Sequence, residues 1–208
     1  MLRKRWVKIL VFLLSLMPMA WLGWRGWNQD LSANPIEFIT RYTGDWTLRF
    51  LVFTLAITPL RKLLGLPDLI KFRRMIGLFA FFYGCLHFTT YIWLDKFFDL
   101  TEMLHDVAKR PFITAGFTAF VLMIPLAITS TTGWIRRMGG KRWQTLHRLV
   151  YISAVAGVIH YYWLVKSAVQ RPIFYGVLVA IALIIRATFW AAGKRARTAA
   201  KVPIAAVR

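Results

Sequence analysis

Long apolar runs separated by short charged segments dominate this 208-residue chain. A helix needs about 20 apolar residues to cross a hydrocarbon core, and runs of that length occupy residues 6–24, 46–64, 75–94, 112–128, 149–165 and 173–190. The runs are continuous and not alternating, and a chain in lipid must satisfy its own backbone hydrogen bonds. The pattern therefore predicts an all-α integral membrane protein, a six-transmembrane-helix bundle that forms a single domain over residues 1–208.

Basic residues are distributed unevenly among the segments that connect these runs. The amino terminus, the second and fourth connections and the tail from Arg186 hold 20 Lys and Arg and one acid. The other three connections hold eight basic and seven acidic residues. Because positively charged loops stay on the cytoplasmic side, both termini are predicted to be cytoplasmic. The first run resembles a secretory signal, but Pro18, Trp21 and Trp24 leave no small-residue cleavage site, so we interpret it as an uncleaved span.

Charge and cysteine content exclude several classes of function. The formal net charge is +20, but the Lys and Arg lie between apolar runs and form no single basic face, which argues against a nucleic-acid binder. Cys85 is the only cysteine, so disulfides and cysteine-based metal clusters are excluded. The chain contains no nucleotide-binding fingerprint, and about 18 residues follow the last run. Electrons, if the protein carries them, are therefore expected from a quinol, a separate reductase or a bound flavin.

The four histidines are His87, His105, His147 and His160. Ionisable groups inside a membrane are costly and indicate function. His87 lies thirteen residues beyond Arg74, and His160 lies thirteen beyond His147; both helices are predicted to run outward, so both rings are expected roughly 20 Å above the cytoplasmic boundary. Two parallel helices with one imidazole each at one depth favour an axial bis-histidine heme over a hydrogen bond between helices.

His147 has no matching partner at its own depth. The equivalent position on the third run is Arg74, which cannot ligate iron while charged. Three interpretations remain: a second heme with an unusual opposite ligand, a hydrogen bond to another cofactor, or a structural role. On a straight helix, His147 and His160 would point about 140° apart. Either Gly157 permits a distortion or the two histidines serve different clefts.

A basic cluster precedes His147 in the fourth connection. Arg136, Arg137 and Lys141 lie there beside two glycines. The cluster is either a topology signal alone or, together with Arg74, part of a site for an anionic phosphate such as that of a flavin. His105 lies among charged residues in the third connection, where we expect a solvated loop.

Several motifs together resemble the MsrQ family, the heme-binding membrane subunits of the protein-methionine-sulfoxide reductase system, which are related to ferric reductase and NADPH oxidase membrane domains. The similarity covers nearly the whole chain. It is carried by NPIEFITRYTG, LAITPL, RRMIGL with LHFTTY, RPFITAG, LAITSTTGW, and GGKRWQTLH with IHYYWLVK.

The resemblance implies a six-helix protein of the bacterial inner membrane that binds heme b and flavin mononucleotide (FMN). It implies that His87, His147 and His160 are the heme histidines, one fewer than in the oxidases. It also implies that electrons come from the respiratory quinone pool and pass to a periplasmic molybdenum-containing subunit that repairs oxidised methionine. Two rival hypotheses are a stand-alone ferric or quinone reductase-type cytochrome b, and a non-redox scaffold whose histidines bond neighbouring helices.

Overall fold

The computed structural model describes residues 2–165 and 167–199, and all regular secondary structure in that part of the chain is helical. The α-helices are α1 (Leu2–Trp27), α2 (Pro35–Leu63), α3 (Ile70–Thr89), α4 (Leu100–Lys109), α5 (Pro111–Ile128), α6 (Thr132–Met138), α7 (Gly140–Leu146), α8 (Leu149–Leu164) and α9 (Gln170–Ala199). A 3₁₀ turn, Pro67–Leu69, precedes α3, and a π-helical segment, Thr90–Asp95, extends it. Residue 166 and the predicted cytoplasmic tail from residue 200 lie outside the described residues.

Six of these helices are long and overlap the six predicted apolar runs. Four segments are long and apolar enough to cross a membrane, judged over the described residues: Arg5–Trp27, Pro67–Asp95, Pro111–Ile128 and Gln170–Lys194. The other two long helices do not meet this standard. α8 has only 16 residues, and α2 carries charged side chains such as Asp45 and Arg49 along its length.

The centre of the bundle is α2, which packs most extensively against α3 and also contacts α8 and α9. Its middle contributes Leu51 and Leu55, which are buried, and the facing turns of α3 contribute Ala80 and Tyr83. α5 lies along α8 in a second extensive contact. In that contact the buried Ser153 donates a hydrogen bond to the carbonyl of Ala119 at 2.8 Å. α2 is therefore in contact with α3, α8 and α9 at once.

A proline in α2 leaves a backbone carbonyl that a distant arginine satisfies. Pro59 has no N–H to donate to the carbonyl of Leu55, four residues earlier. The guanidinium of Arg186 in α9 donates to that oxygen from Nη2 at 2.6 Å and from Nε at 3.2 Å. Arg186 also donates to the hydroxyl of Tyr151 at 3.0 Å, which links α9 to both α2 and α8.

A side chain from α3 also bonds to the backbone of α1 next to a proline. Beside Pro18, the hydroxyl of Tyr83 donates to the carbonyl of Ser15 at 2.9 Å and accepts from the N–H of Met19 at 3.1 Å. These two backbone groups would otherwise bond each other in a regular helix. The inserted hydroxyl therefore attaches α1 to α3 at the position where it replaces a backbone hydrogen bond of the helix.

Candidate functional site

The structure brings His87 and His160 together between α3 and α8. Their ring centroids lie 6.1 Å apart, and the ring planes are inclined by 70°. His87 lies in the last turn of α3, and His160 lies one turn before the end of α8. The two rings therefore occupy the same level of the bundle, as the counting of residues along the two helices predicts.

One nitrogen of each ring is held by a backbone carbonyl from a neighbouring helix. His87 Nδ1 lies 2.9 Å from the carbonyl oxygen of Thr40 in α2. His160 Nδ1 lies 2.6 Å from the carbonyl oxygen of Phe112 in α5. A carbonyl only accepts, so each Nδ1 must carry the hydrogen, and in a neutral ring Nε2 then keeps its lone pair. Such a bond at the second nitrogen is typical of histidines that ligate a metal.

The separation of the rings fits a shared metal ion. A metal–imidazole bond is about 2 Å long and the nitrogen lies about 1.1 Å from the ring centroid, so two rings on opposite sides of one ion have centroids about 6 Å apart. Among the described residues, no group of three or more His, Cys, Asp and Glu side chains forms a metal cluster. A heme needs only the two axial ligands, because its macrocycle supplies the others.

Two glycines make room for the rings. A Cβ atom added at Gly44 in α2 would lie 3.0 Å from Cε1 of His87. A Cβ atom at Gly116 in α5 would lie 2.7 Å from Nδ1 of His160. The absence of side chains at these positions lets each imidazole lie directly against the backbone of the helix that also accepts its hydrogen bond.

His147 lies at the junction of α7 and α8 and not on the fifth apolar helix, which corrects the sequence interpretation. α7 ends at Leu146 and α8 begins at Leu149. His147 Nε2 is 3.1 Å from the hydroxyl of Thr129, and its ring stacks on Trp143 with centroids 3.8 Å apart. Because the chain turns here, the angle of about 140° expected for a straight helix does not apply, and Gly157 is not needed as a distortion.

A cavity of about 750 Å³ lies on the His147 side of the bundle. Its lining contains Arg73 and Arg74 from α3, His147 with Arg148, and Arg186 from α9. Apolar walls come from α2, α5 and α8. Such a cavity combines several guanidinium groups with room for a flat ring system, which suits an anionic cofactor.

The predicted basic cluster is separate from this cavity. Arg136, Arg137 and Lys141 are exposed on α6 and α7 and do not line it, whereas the predicted Arg74 and His147 do. His105 is exposed as predicted, but it lies on the helix α4 and not in a loop.

Sequence reasoning missed most of the groups that position the histidines. The carbonyls of Thr40 and Phe112 carry no sequence signal, because every residue has a carbonyl. Gly44 and Gly116 did leave a signal, since they end the motifs NPIEFITRYTG and RPFITAG. Arg186 appeared only as the beginning of a basic tail.

Comparison with known proteins identifies the family of this chain. A sequence model of the family described as "Ferric reductase like transmembrane component" matches residues 9–158. The chain is 58% identical over 193 residues to a protein of Herminiimonas arsenicoxydans named protein-methionine-sulfoxide reductase heme-binding subunit MsrQ, covering 92% of this chain and 88% of that protein.

Two further relatives carry the same name. One, from Azospira oryzae, is 54% identical and covers 85% of this chain and 76% of its own length. The other, from Caulobacter vibrioides, is 49% identical, and the alignment covers 92% of this chain and 89% of that protein. No solved structure matches this chain. The region matched by the family model begins within α1 and ends within α8. It contains His87 and His147 but not His160, which lies two residues beyond it.

Proposed function

Because the chain belongs to the MsrQ family of heme-binding subunits and carries a ferric reductase-like transmembrane component, we propose that it is the membrane electron-transfer subunit of a protein-methionine-sulfoxide reductase system. In this proposal His87 and His160 would hold one heme b through their Nε2 atoms. The observation that carries the assignment is the 6.1 Å separation of the two rings, with both Nδ1 atoms engaged by carbonyls.

The residues around the two imidazole rings fix their tautomer and their orientation. The carbonyls of Thr40 and Phe112 accept the Nδ1 hydrogens, so in the neutral rings the hydrogen stays on Nδ1 and Nε2 is available as a ligand. Gly44 and Gly116 place both rings against helix backbones, which limits their rotation. A heme bound between them would supply a one-electron carrier within the bundle.

The test is the visible spectrum of the purified full-length protein and three variants. The wild type is expected to show a b-type α band in a reduced-minus-oxidised spectrum. His87→Ala and His160→Ala should each lose the low-spin bis-histidine spectrum, whereas His105→Ala, which changes an exposed histidine on α4, should retain it. A wild-type spectrum in His87→Ala would contradict the pairing, and a protein without any heme band would support the scaffold hypothesis.

We also propose that all six long helices cross the bacterial inner membrane, with both termini in the cytoplasm. Electrons would enter from the quinone pool and leave to a periplasmic molybdenum-containing methionine-sulfoxide reductase subunit. The distribution of basic residues supports this orientation. Copurification with a periplasmic enzyme tests the partnership. A protein that reduces ferric or quinone compounds without such a partner would instead be a stand-alone reductase.

We also propose that the cavity beside His147 binds a second cofactor, FMN. The arginines that line it match an anionic phosphate, and the bond from His147 Nε2 to Thr129 occupies the nitrogen that a heme would need. In this proposal His147 helps shape a flavin site and does not ligate iron. A second heme is the alternative, and it would require His147 to give up that bond.

Joint measurement of heme and flavin distinguishes these alternatives. In His147→Ala and in Arg74→Gln, the FMN proposal predicts loss of flavin with heme retained. Loss of half of the heme in His147→Ala would indicate a second heme. If neither cofactor changes, the cavity proposal is wrong and His147 has a structural role only.

A further inference from the structure

Two exposed phenylalanines follow the π-helical end of α3 in an unusual backbone conformation. Phe97 and Phe98 have φ values of 45° and 64°, in the left-handed region that is unfavourable for a residue with a Cβ atom. Their side chains are 76% and 64% exposed. A strained backbone that turns two large apolar rings away from the protein suggests that the rings have a use outside it.

Buried ion pairs hold this turn in place. Lys96, immediately before the phenylalanines, has a side chain that is only 6% exposed. Its Nζ lies 2.7 Å from Asp106 Oδ2 and 2.5 Å from Glu102 Oε1, both on α4. Arg110 Nε lies 3.1 Å from the other oxygen of Asp106. Lys96 therefore joins the turn that exposes the rings to two successive turns of α4.

α4 presents three different sides. Met103 and Asp106 are buried against the bundle. Leu100 and Leu104 are 70% and 72% exposed. Since successive residues of a helix are rotated by about 100°, these two leucines point roughly 110° to one side of the buried face. The polar residues lie roughly 110° to the other side: Thr101, Glu102, His105 and Lys109. A helix at the rim of a membrane protein meets protein, lipid and water in this arrangement.

The ends of α4 lie at one boundary of the bilayer. Asp95, the last residue of the π-helical segment, lies 21 residues beyond Arg74, a rise of about 31 Å against a hydrocarbon thickness of about 30 Å. α5 returns from Pro111 to Ile128 over 18 residues, about 27 Å. Since α4 connects two points at this boundary and has only 10 residues, it must lie close to the surface.

We propose that α4 and the preceding phenylalanines form an interfacial anchor, with Phe97, Phe98, Leu100 and Leu104 inserted into the lipid at the His87 end of the bundle. The occupant of this apolar surface is the bilayer, because the exposed Trp93 lies four residues before Phe97 at the end of the spanning segment. Leu100 and Leu104 also point away from the polar side of α4. Leucines on one side of an amphipathic helix, with aromatic rings next to it, are typical of such anchors.

Site-directed spin labelling in vesicles tests this anchor. Single cysteines are introduced in a Cys85→Ala background as Phe98→Cys and Leu104→Cys on the apolar side, and as Thr101→Cys and His105→Cys on the polar side. The labelled full-length proteins are reconstituted in phosphatidylethanolamine and phosphatidylglycerol vesicles. Nitroxides at positions 98 and 104 should collide several-fold more with oxygen, and several-fold less with a nickel chelate, than those at 101 and 105.

Hydroxyl-radical footprinting of the unsubstituted protein in the same vesicles provides a second reading that needs no variant. Phe98 and Leu104 should be protected, while His105, which is also exposed, is modified. If the nickel chelate reaches all four positions equally, or radicals modify Phe98 as readily as His105, the anchor does not exist. If protection appears only after a periplasmic reductase subunit is added, the surface binds protein and not lipid, which also overturns the proposal.

Discussion

The backbone of Gly116 lies so close to the ring of His160 that a Cβ atom at this position would be 2.7 Å from Nδ1. Side chains do not tolerate such a distance, so Gly116→Ala must displace the imidazole from the carbonyl of Phe112. Loss of a bond that orients a metal ligand typically weakens metal binding about 10-fold to 100-fold. We expect a similar loss of heme affinity in Gly116→Ala, measured by heme titration of the apoprotein.

Gly157→Ala is the matched control for this substitution. It adds the same methyl group to α8, where the nearest atom, Leu48 Cδ1, is at an ordinary distance of 3.7 Å. Its heme affinity should equal that of the wild type. Equal affinities for Gly116→Ala and Gly157→Ala would mean that the close contact at His160 has no part in holding the cofactor.

Arg186 is expected to stabilise the fold by completing the hydrogen bonding of α2. Arg186→Met leaves the carbonyl of Leu55 without a donor, and an unsatisfied buried acceptor costs about 1–3 kcal/mol. Pro59→Ala restores a backbone N–H that can donate to the same carbonyl. Arg186→Met should therefore destabilise the protein less when Pro59→Ala is also present, as measured by thermal unfolding in detergent.

The double-mutant cycle separates the hydrogen bond to the Leu55 carbonyl from any other contribution that Arg186 makes as part of the cavity wall. Any contribution from the cavity is the same with and without Pro59→Ala, so it cancels in the difference. Strict additivity of the two substitutions would show that Arg186 does not substitute for the missing helical donor.

The ion pair between Lys96 and Asp106, beside the exposed phenylalanines, should make the stability of the protein fall in both acidic and strongly alkaline solution. Hydrogen bonds from Lys96 hold the pKa of Asp106 below its usual value, and the same bonds raise the pKa of Lys96. The contribution of Asp106 is present above its unfolded pKa of about 4 and is lost as the pH falls through the lower folded value. The contribution of Lys96 to stability is present below its unfolded pKa of about 10.4, and it is lost as the pH rises through the higher folded value.

Asp106→Asn should therefore destabilise the protein by about 3 kcal/mol near neutral pH, because it leaves Lys96 buried beside a half-exposed Glu102 only. The deficit relative to the wild type should be constant from about pH 5 to pH 9 and should shrink in more acidic solution. Thermal unfolding of both proteins across this pH range measures the deficit. A deficit in stability that grows on acidification would contradict the prediction. Asp99→Asn, which changes an exposed acid at the start of α4, is the control.

Reporter fusions test the proposed orientation. Fusions after Lys71, Gly139 and Arg208 should report a cytoplasmic location, and a fusion after Asp106 should report a periplasmic one, because basic connections stay inside. The reverse result would invert the bundle and place the His87 end on the cytoplasmic side. A cytoplasmic reading after both Gly139 and Asp106 would rule out a crossing by α5.

The sequence alone determined which segments are long helices and how far along them the histidines lie. α5 and α8 begin within one residue of the predicted runs, because the cost of placing polar backbone and side chains in lipid is a property of each segment by itself. The rise per residue likewise placed His87 and His160 at one level before any contact was known. The short helices α4, α6 and α7 were not predicted, since they lie in the charged connections.

The tertiary structure decided which groups meet the histidines. Thr40, Phe112, Gly44 and Gly116 lie on α2 and α5, and nothing in hydrophobic periodicity shows which faces of those helices turn towards α3 and α8. The break at His147 was also invisible, because apolar character continues across it while the backbone turns. Packing of side chains between helices depends on all of the neighbours at once, so the surroundings of the site emerged only when the helices were assembled.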